Sequence, residues 1–208
     1  CKDITKTIVA TCDEEIKNYI ESISGESIMT SNKHERASDR CAEALSILEK
    51  KDGINYDIVV MVQGDEPMTS AEMISQAISP MINDSNINVV NLVGEIKDEL
   101  EFNDRNCIKV VCDLNDNALF FSREPIPHKS NEYYEHVGIY AYNISTLRKF
   151  VLFKEGYLEK VESLEQLRAI ENGIQINLAE IKAPPTSIDT PKDLKDFIKK
   201  RKRLNEKI

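Results

Sequence analysis

The residues with the clearest chemical potential are acids placed where a strand ends. Gln63-Gly64-Asp65-Glu66-Pro67 follows directly on the apolar run 58–62. In open α/β sheets, ligands bind just beyond the carboxyl ends of strands, so an acid there meets substrate rather than core. Gly64 lets the backbone turn and approach a ligand. Asp65 is short and offers hard oxygens, which suits Mg²⁺. The competing reading is a solvated turn with a charged tip. A second acid, Asp189, lies in Ser187-Ile188-Asp189-Thr190-Pro191-Lys192-Asp193. Pro191 fits a first helical position, which makes Thr190 the N-cap and Asp193 the N3 partner of a capping box. Asp189 then has no capping duty, although an acid near a helix N-terminus is favoured in any case. Asp65 and Asp189 together could share one Mg²⁺, which commonly takes one or two carboxylates plus substrate phosphate.

Other segments add groups that recognise polar ligands. Residues 34–44 carry Arg36, Asp39 and Arg40 into a helix start, where backbone N–H groups and cations receive an anion or a base edge. An exposed charged turn is the bland alternative. Arg123 follows a strand and precedes Pro125 and Pro127. Its guanidinium could grip a carboxylate bidentately, or simply pair with Glu124. His136 and Tyr140 belong to one strand and point to the same face. They fit a binding face or a half-buried polar pair. Glu165 and Gln166, on their own, read as the solvated face of a helix.

The elements that position these groups alternate between strand and helix. Strands are expected at 7–11, 27–30, 57–62, 87–92, 107–112, 118–121, 135–142 and 174–181. Helices are expected at 13–23, 36–50, from about Thr69, at 145–152, 159–172 and 191–203. Ile16, Ile20 and Ile23 share one face of the first helix, and Gly25 ends it. Thr69 and Glu72 have capping-box spacing. The uninterrupted apolar run 58–62 resembles a central parallel strand covered on both faces. The turn-rich Asp113 to Asn117 makes 107–121 a hairpin. This pattern gives an α/β fold with a mostly parallel sheet and a small antiparallel excursion.

Composition narrows the functional classes. The chain has 208 residues, 41% of them hydrophobic and 30% charged, which is ordinary for a globular domain. No apolar run approaches the ~20 residues of a membrane helix, and no signal segment opens the sequence. A net charge of −9 argues against nonspecific nucleic-acid binding. The five cysteines are scattered, without a C-x-x-C pair, and read as reduced cytoplasmic thiols. The basic cluster 199–203 complements a helix C-terminus.

Taken together, Val62-Gln63-Gly64-Asp65-Glu66-Pro67, Ile108-Lys109-Val110-Val111, Ala118 to Arg123 with Ile126-Pro127, His136 to Tyr142, Leu164 to Arg168 with Glu171-Asn172-Gly173, and Ile188 to Pro191 with Asp193-Leu194 resemble the 3-deoxy-manno-octulosonate (Kdo) cytidylyltransferases, in the family's order. The resemblance implies a Rossmann-like nucleotidyltransferase fold over residues 1–208, with a sugar-binding and dimerisation excursion at about 95–143. It implies transfer of CMP from CTP to an acidic sugar for lipopolysaccharide synthesis, a Mg²⁺ cofactor, a cytoplasmic homodimer, and no nucleic-acid or membrane partner. Asp65 and Asp189 would be the catalytic metal ligands. Gln63, Arg123, His136, Tyr140, Glu165 and Gln166 would contact the sugar acid. Ala37, Ser38 and Arg40 would line the cytidine pocket. The family's opening strand and phosphate loop do not precede Cys1, so an N-terminally incomplete domain with weak turnover is expected. Arg36 to Arg40 lacks the family's Ser-Gly-Thr, and the 127–136 stretch is shorter. These departures leave open another acidic sugar, such as 8-amino-Kdo or a nonulosonic acid. They also leave open a non-catalytic sugar-nucleotide binding module.

Overall fold

The computed structural model describes the chain except residues 131, 183–186, 189 and 206–208, and the side chains of 200–205. Asp189 therefore lies outside the described residues. The order is β1 (Val9–Thr11), α1 (Glu14–Ser22), β2 (Ser27–Met29), α2 (Ala37–Asp52), β3 (Ile58–Val62), α3 (Ala71–Asn83), β4 (Val89–Glu95), α4 (Glu99–Asn103), β5 (Lys109–Cys112), β6 (Ala118–Ser122), β7 (Tyr134–Asn143), α5 (Ile144–Phe150), α6 (Tyr157–Glu162), α7 (Gln166–Glu171), β8 (Asn177–Ile181) and α8 (Pro191–Asn205). No helix among the described residues is long and apolar enough to cross a membrane.

β7 organises the main sheet. One edge pairs antiparallel with β4, which pairs parallel with β8. The other edge is shared: β3 takes residues 139–143 and β5 takes Tyr134 and Glu135, both antiparallel. β5 continues into the β6 hairpin, as the turn residues require. β1 and β2 form a separate parallel pair. The result is an α/β fold with a mixed sheet, in which β3, β4 and β8 run one way and β7 runs against them. The apolar run of β3 reflects helices on its faces rather than parallel neighbours, since its partner among the described residues is antiparallel β7.

Period-2 alternation along β7 feeds two cores. Val137, Ile139 and Ala141 pack with Ala77, Met81, Val90 and Leu92 beneath α3. Tyr140 and Tyr142 point to the opposite core, with Phe121, Leu147, Phe150 and Leu167. At about 25 cal/mol per Å² of apolar surface, these clusters are the main stabilising term.

Local expectations shift at three places. The α3 N-cap is Ser70, whose hydroxyl accepts from the Met73 N–H, while Thr69 donates its hydroxyl to the Glu66 carbonyl. The helix expected over 159–172 is two, because Ser163 adopts a left-handed φ of 58°. The apolar face of α1 is largely uncovered, with Ile16 48% and Ile23 59% exposed. The capping box ahead of α8 forms as read: Asp193 accepts from the Thr190 N–H at 2.8 Å, and Thr190 Oγ1 accepts from the Asp193 N–H at 3.3 Å.

Candidate active site

The site is built on an irregularity in β7. Between the pairs Asn91↔Tyr140 and Val93↔His136, two steps along β4 are matched by four along β7. This bulge shortens the strand locally. In a regular strand, residues four apart are separated by roughly 13 Å. Here the Tyr140 hydroxyl lies 3.0 Å from His136 Nδ1.

The bulge also carries the acidic loop. Gly138 donates its N–H to Glu66 Oε1 at 3.1 Å, and its carbonyl accepts from the Gln63 N–H at 3.1 Å. A Cβ on Gly138 would sit 3.2 Å from Glu66 Oε1 and 3.4 Å from Gln63 Cβ, so glycine is what permits the close approach. Asp65 is half-buried, with Oδ1 shielded from solvent. Its backbone carbonyl accepts from the Ile188 N–H at 2.9 Å, which brings Ile188 to the acidic loop.

His136, Tyr140, Arg123, Glu165, Gln166 and Ser38 converge. The His136 ring meets Phe121 edge-on, with centroids 6.1 Å apart. Burial, helped by the Arg123 charge, pushes its imidazole down to about 4, so the ring is neutral at physiological pH. Burial raises the Tyr140 hydroxyl well above its ordinary range, while a hydrogen bond from the Gln166 carboxamide pulls the other way. Arg123 is fixed from several sides. Its Nε donates to the Glu162 carbonyl at 3.1 Å and its Nη1 to the Arg105 carbonyl at 3.1 Å. Its own carbonyl accepts from the fully buried Lys109 Nζ at 2.9 Å. Toward the described residues it uses two of its five guanidinium N–H groups.

The break at Ser163 turns Glu165 and Gln166 inward. Both are buried, at 8% and 6% exposure, rather than lying on a solvated helix face. Burial raises the Glu165 carboxyl; the Ser38 hydroxyl, donating at 2.8 Å, and the Arg168 charge oppose that rise. Below them, buried Glu159 sits between Arg36 and Arg168, each 3.2 Å away. Arg168 also stacks over Phe150 at 4.6 Å.

The nucleotide-side residues divide. Ser38 is fully buried against Glu165, and Ala37 is exposed at the α2 start. Arg40 is engaged with its own loop: it donates to Thr30 Oγ1 at 2.6 Å and to the Ser31 carbonyl at 3.3 Å. Among the described residues no three His, Cys, Asp or Glu side chains gather as a metal cage. Sequence reasoning missed Asn91, Glu66, Lys109, Glu162 and the Glu159–Arg168 pair. For Asn91 a signal existed, a lone carboxamide within Val89-Val90-Asn91-Leu92-Val93.

An acidic loop beyond a strand's carboxyl end, faced by a neutral His–Tyr–Gln cluster and a fixed arginine, defines a nucleotidyltransferase-like α/β enzyme. Comparison with known proteins agrees. A cytidylyltransferase family model matches residues 1–176. The 3-deoxy-manno-octulosonate cytidylyltransferase of Thermodesulfovibrio yellowstonii is 44% identical, over 93% of this chain and 80% of that protein. The enzyme of the same name from Syntrophus aciditrophicus is 40% identical, over 92% and 78%. The solved structure of a CMP:2-keto-3-deoxy-manno-octonic acid synthetase complexed with CTP superposes with a TM-score of 0.84 at 32% identity, covering 99% of this chain and 83% of that one. The chain belongs to the cytidylyltransferase family, and within it to the 3-deoxy-manno-octulosonate cytidylyltransferases.

Proposed function

We propose that this chain transfers CMP from CTP to the anomeric hydroxyl of Kdo, releasing pyrophosphate. The observation that carries the reading is the bulge of β7, which ties the Asp65 loop to the His136–Tyr140 pair through Gly138. A nucleotide-phosphate site and a polyol site then share one rigid strand, as in-line transfer requires.

The residues divide the work by chemistry. Arg123, held at its backbone, presents its remaining N–H groups to the sugar carboxylate. Neutral His136, the Tyr140 hydroxyl, the Gln166 carboxamide and the Glu165 carboxylate read the sugar hydroxyls. Gln63 is anchored beside them by Gly138. Ala37 and Ser38 at the α2 start border the cytidine, and Arg40 shapes the 30–34 loop beside it.

Asp65 offers a hard carboxylate with one oxygen shielded from solvent, a donor that fits Mg²⁺. Asp189 is the proposed second ligand, supported by the bond between its neighbour Ile188 and Asp65. Bound there, the ion would neutralise triphosphate charge and help activate the attacking hydroxyl. The whole of 1–208 acts as one cytidylyltransferase domain, and its 95–143 excursion serves sugar binding and homodimer contact. Exposed Leu100, Leu114 and Leu119 support the latter role. Five unpaired thiols suit a cytoplasmic enzyme, with its product used in lipopolysaccharide synthesis.

The test is pyrophosphate release from CTP and Kdo, with and without Mg²⁺. Release that requires all three supports the reading. Release with a different acidic sugar alone would reassign the acceptor, and no release with any acid would overturn the reaction.

A further inference from the structure

Asn91 sits in the middle of β4, fully buried, facing the bulge of β7. Its Nδ2 donates to the Val137 carbonyl at 2.8 Å and to the Ile139 carbonyl at 3.1 Å. Those two carbonyls face β4 where the register breaks, and Asn91 reaches both from the strand opposite. Both N–H groups of the carboxamide are thereby committed, and its orientation is fixed. The remaining atom, Oδ1, lies 3.2 Å from His136 Nδ1.

Oδ1 can only accept, so Nδ1 must carry the proton for this contact to be attractive. The Tyr140 hydroxyl, also 3.0 Å from Nδ1, then accepts rather than donates. In a ring that holds one proton, Nε2 is left as a lone pair. We propose that Asn91 is a positioning residue that holds His136 as its Nδ1–H tautomer, so that Nε2 accepts a hydrogen from a substrate hydroxyl. This rests on His136 lining the sugar site. The same side chain closes the bulge and selects the tautomer, so strand geometry and ligand reading are set together. Without Oδ1, the Tyr140 hydroxyl is free to donate to Nδ1, and the proton moves to Nε2. The ring then presents a donor where the hydroxyl needs an acceptor.

The ¹⁵N resonances of the unsubstituted protein test this directly, with the His136 ring identified by its loss in His136→Gln. At pH 7.5, Nδ1 should be pyrrole-like and Nε2 pyridine-like; the reverse pattern overturns the proposal. Asn91→Leu should shift the ring toward Nε2–H and raise KM for Kdo about tenfold, the worth of one hydrogen bond, with KM for CTP within about twofold. Asn91→Thr keeps an oxygen on a β-favouring side chain, but its hydroxyl can donate as well as accept, so the tautomer and KM should fall between those of Asn91→Leu and the unsubstituted protein. Equal losses in both variants with an unchanged tautomer would reduce Asn91 to a structural role and sink the inference. An unaltered Kdo KM in His136→Gln would instead remove His136 from the sugar site, whatever its tautomer.

Discussion

The Ser38 hydroxyl donates to Glu165 Oε2 at 2.8 Å, across 127 positions of sequence and with both residues buried. It joins the start of α2, expected to border the nucleotide, to the start of α7, expected to read the sugar. The bond is local to neither segment, and it links the two directly. Glu159 reinforces it from below, by pairing with Arg36 just ahead of α2 and with Arg168 of α7.

That bond also stabilises the ionised form of Glu165 against burial, which raises its carboxyl above the ordinary range. Ser38→Ala removes the opposing contribution, so the Glu165 carboxyl should titrate still higher. Because Glu165 is expected to accept sugar hydroxyls as a carboxylate, the acid limb of kcat/KM for Kdo should move to higher pH. At the foot of that limb the loss should be about tenfold, with KM for CTP much less affected. A pH–rate profile of the two proteins checks this; superimposable profiles would show that Glu165 does not act as an anion.

His136 makes the folded protein sensitive to acid. Its folded value of about 4 lies below that of an unfolded imidazole near 6.5. Above the unfolded value the ring is neutral in both states and costs nothing. As pH falls toward 4, the unfolded ring binds a proton that the folded ring resists, so stability is lost across that window, by up to about 3 kcal/mol. Urea unfolding at pH 7.5 and 4.5 should therefore differ less for His136→Gln than for the unsubstituted chain. Equal pH slopes would mean that the ring is protonated freely in the folded state.

Much of this arrangement was legible in the chain. Alternating apolar periods gave the α/β class, and turn residues gave the β5–β6 hairpin. The acids at strand ends marked the Asp65 loop. What stayed hidden was nonlocal. The β7 bulge, where Asn91 of another strand bonds two carbonyls, is encoded by no period within 134–143. Glu165 and Gln166 read as a solvated face because a continuous helix was expected. Ser163 in a left-handed conformation breaks that helix, and serine carries no strong signal for it. Antiparallel β7 among parallel strands was equally invisible, since buried strands of either direction read as apolar runs.

Gly138 offers a test of the strand-to-loop coupling. Alanine there needs no unusual backbone angle, but its Cβ would press on Glu66 Oε1 at 3.2 Å, Glu66 Cγ at 3.3 Å and Gln63 Cβ at 3.4 Å. Glu66 must give way by a few tenths of an ångström, which weakens its bond to the 138 N–H and shifts the acidic loop. The expected result is about a tenfold fall in kcat/KM with a stability loss of only ~1 kcal/mol, because misplacement by an ångström or less is costly for transfer and cheap for folding. A larger stability loss with normal kinetics would show that the contact serves the fold alone.

Asp65→Asn separates chemistry from scaffold most sharply. The backbone carbonyl that accepts from Ile188 is untouched, and the side chain keeps its size. Folding should therefore be preserved, with a melting temperature within a few degrees of the parent. If Asp65 holds the proposed Mg²⁺ beside the triphosphate, losing its carboxylate charge should lower kcat by about a hundredfold or more. The Mg²⁺ concentration for half-maximal rate should rise, and Mn²⁺ binding followed by electron paramagnetic resonance should weaken in parallel. KM for Kdo should change little, since the proposed sugar contacts lie on β7, α7 and Arg123. A variant that turned over normally at the same Mg²⁺ concentration would remove Asp65 from the metal site. The acidic loop would then be an anchor for Gly138 rather than part of the chemistry.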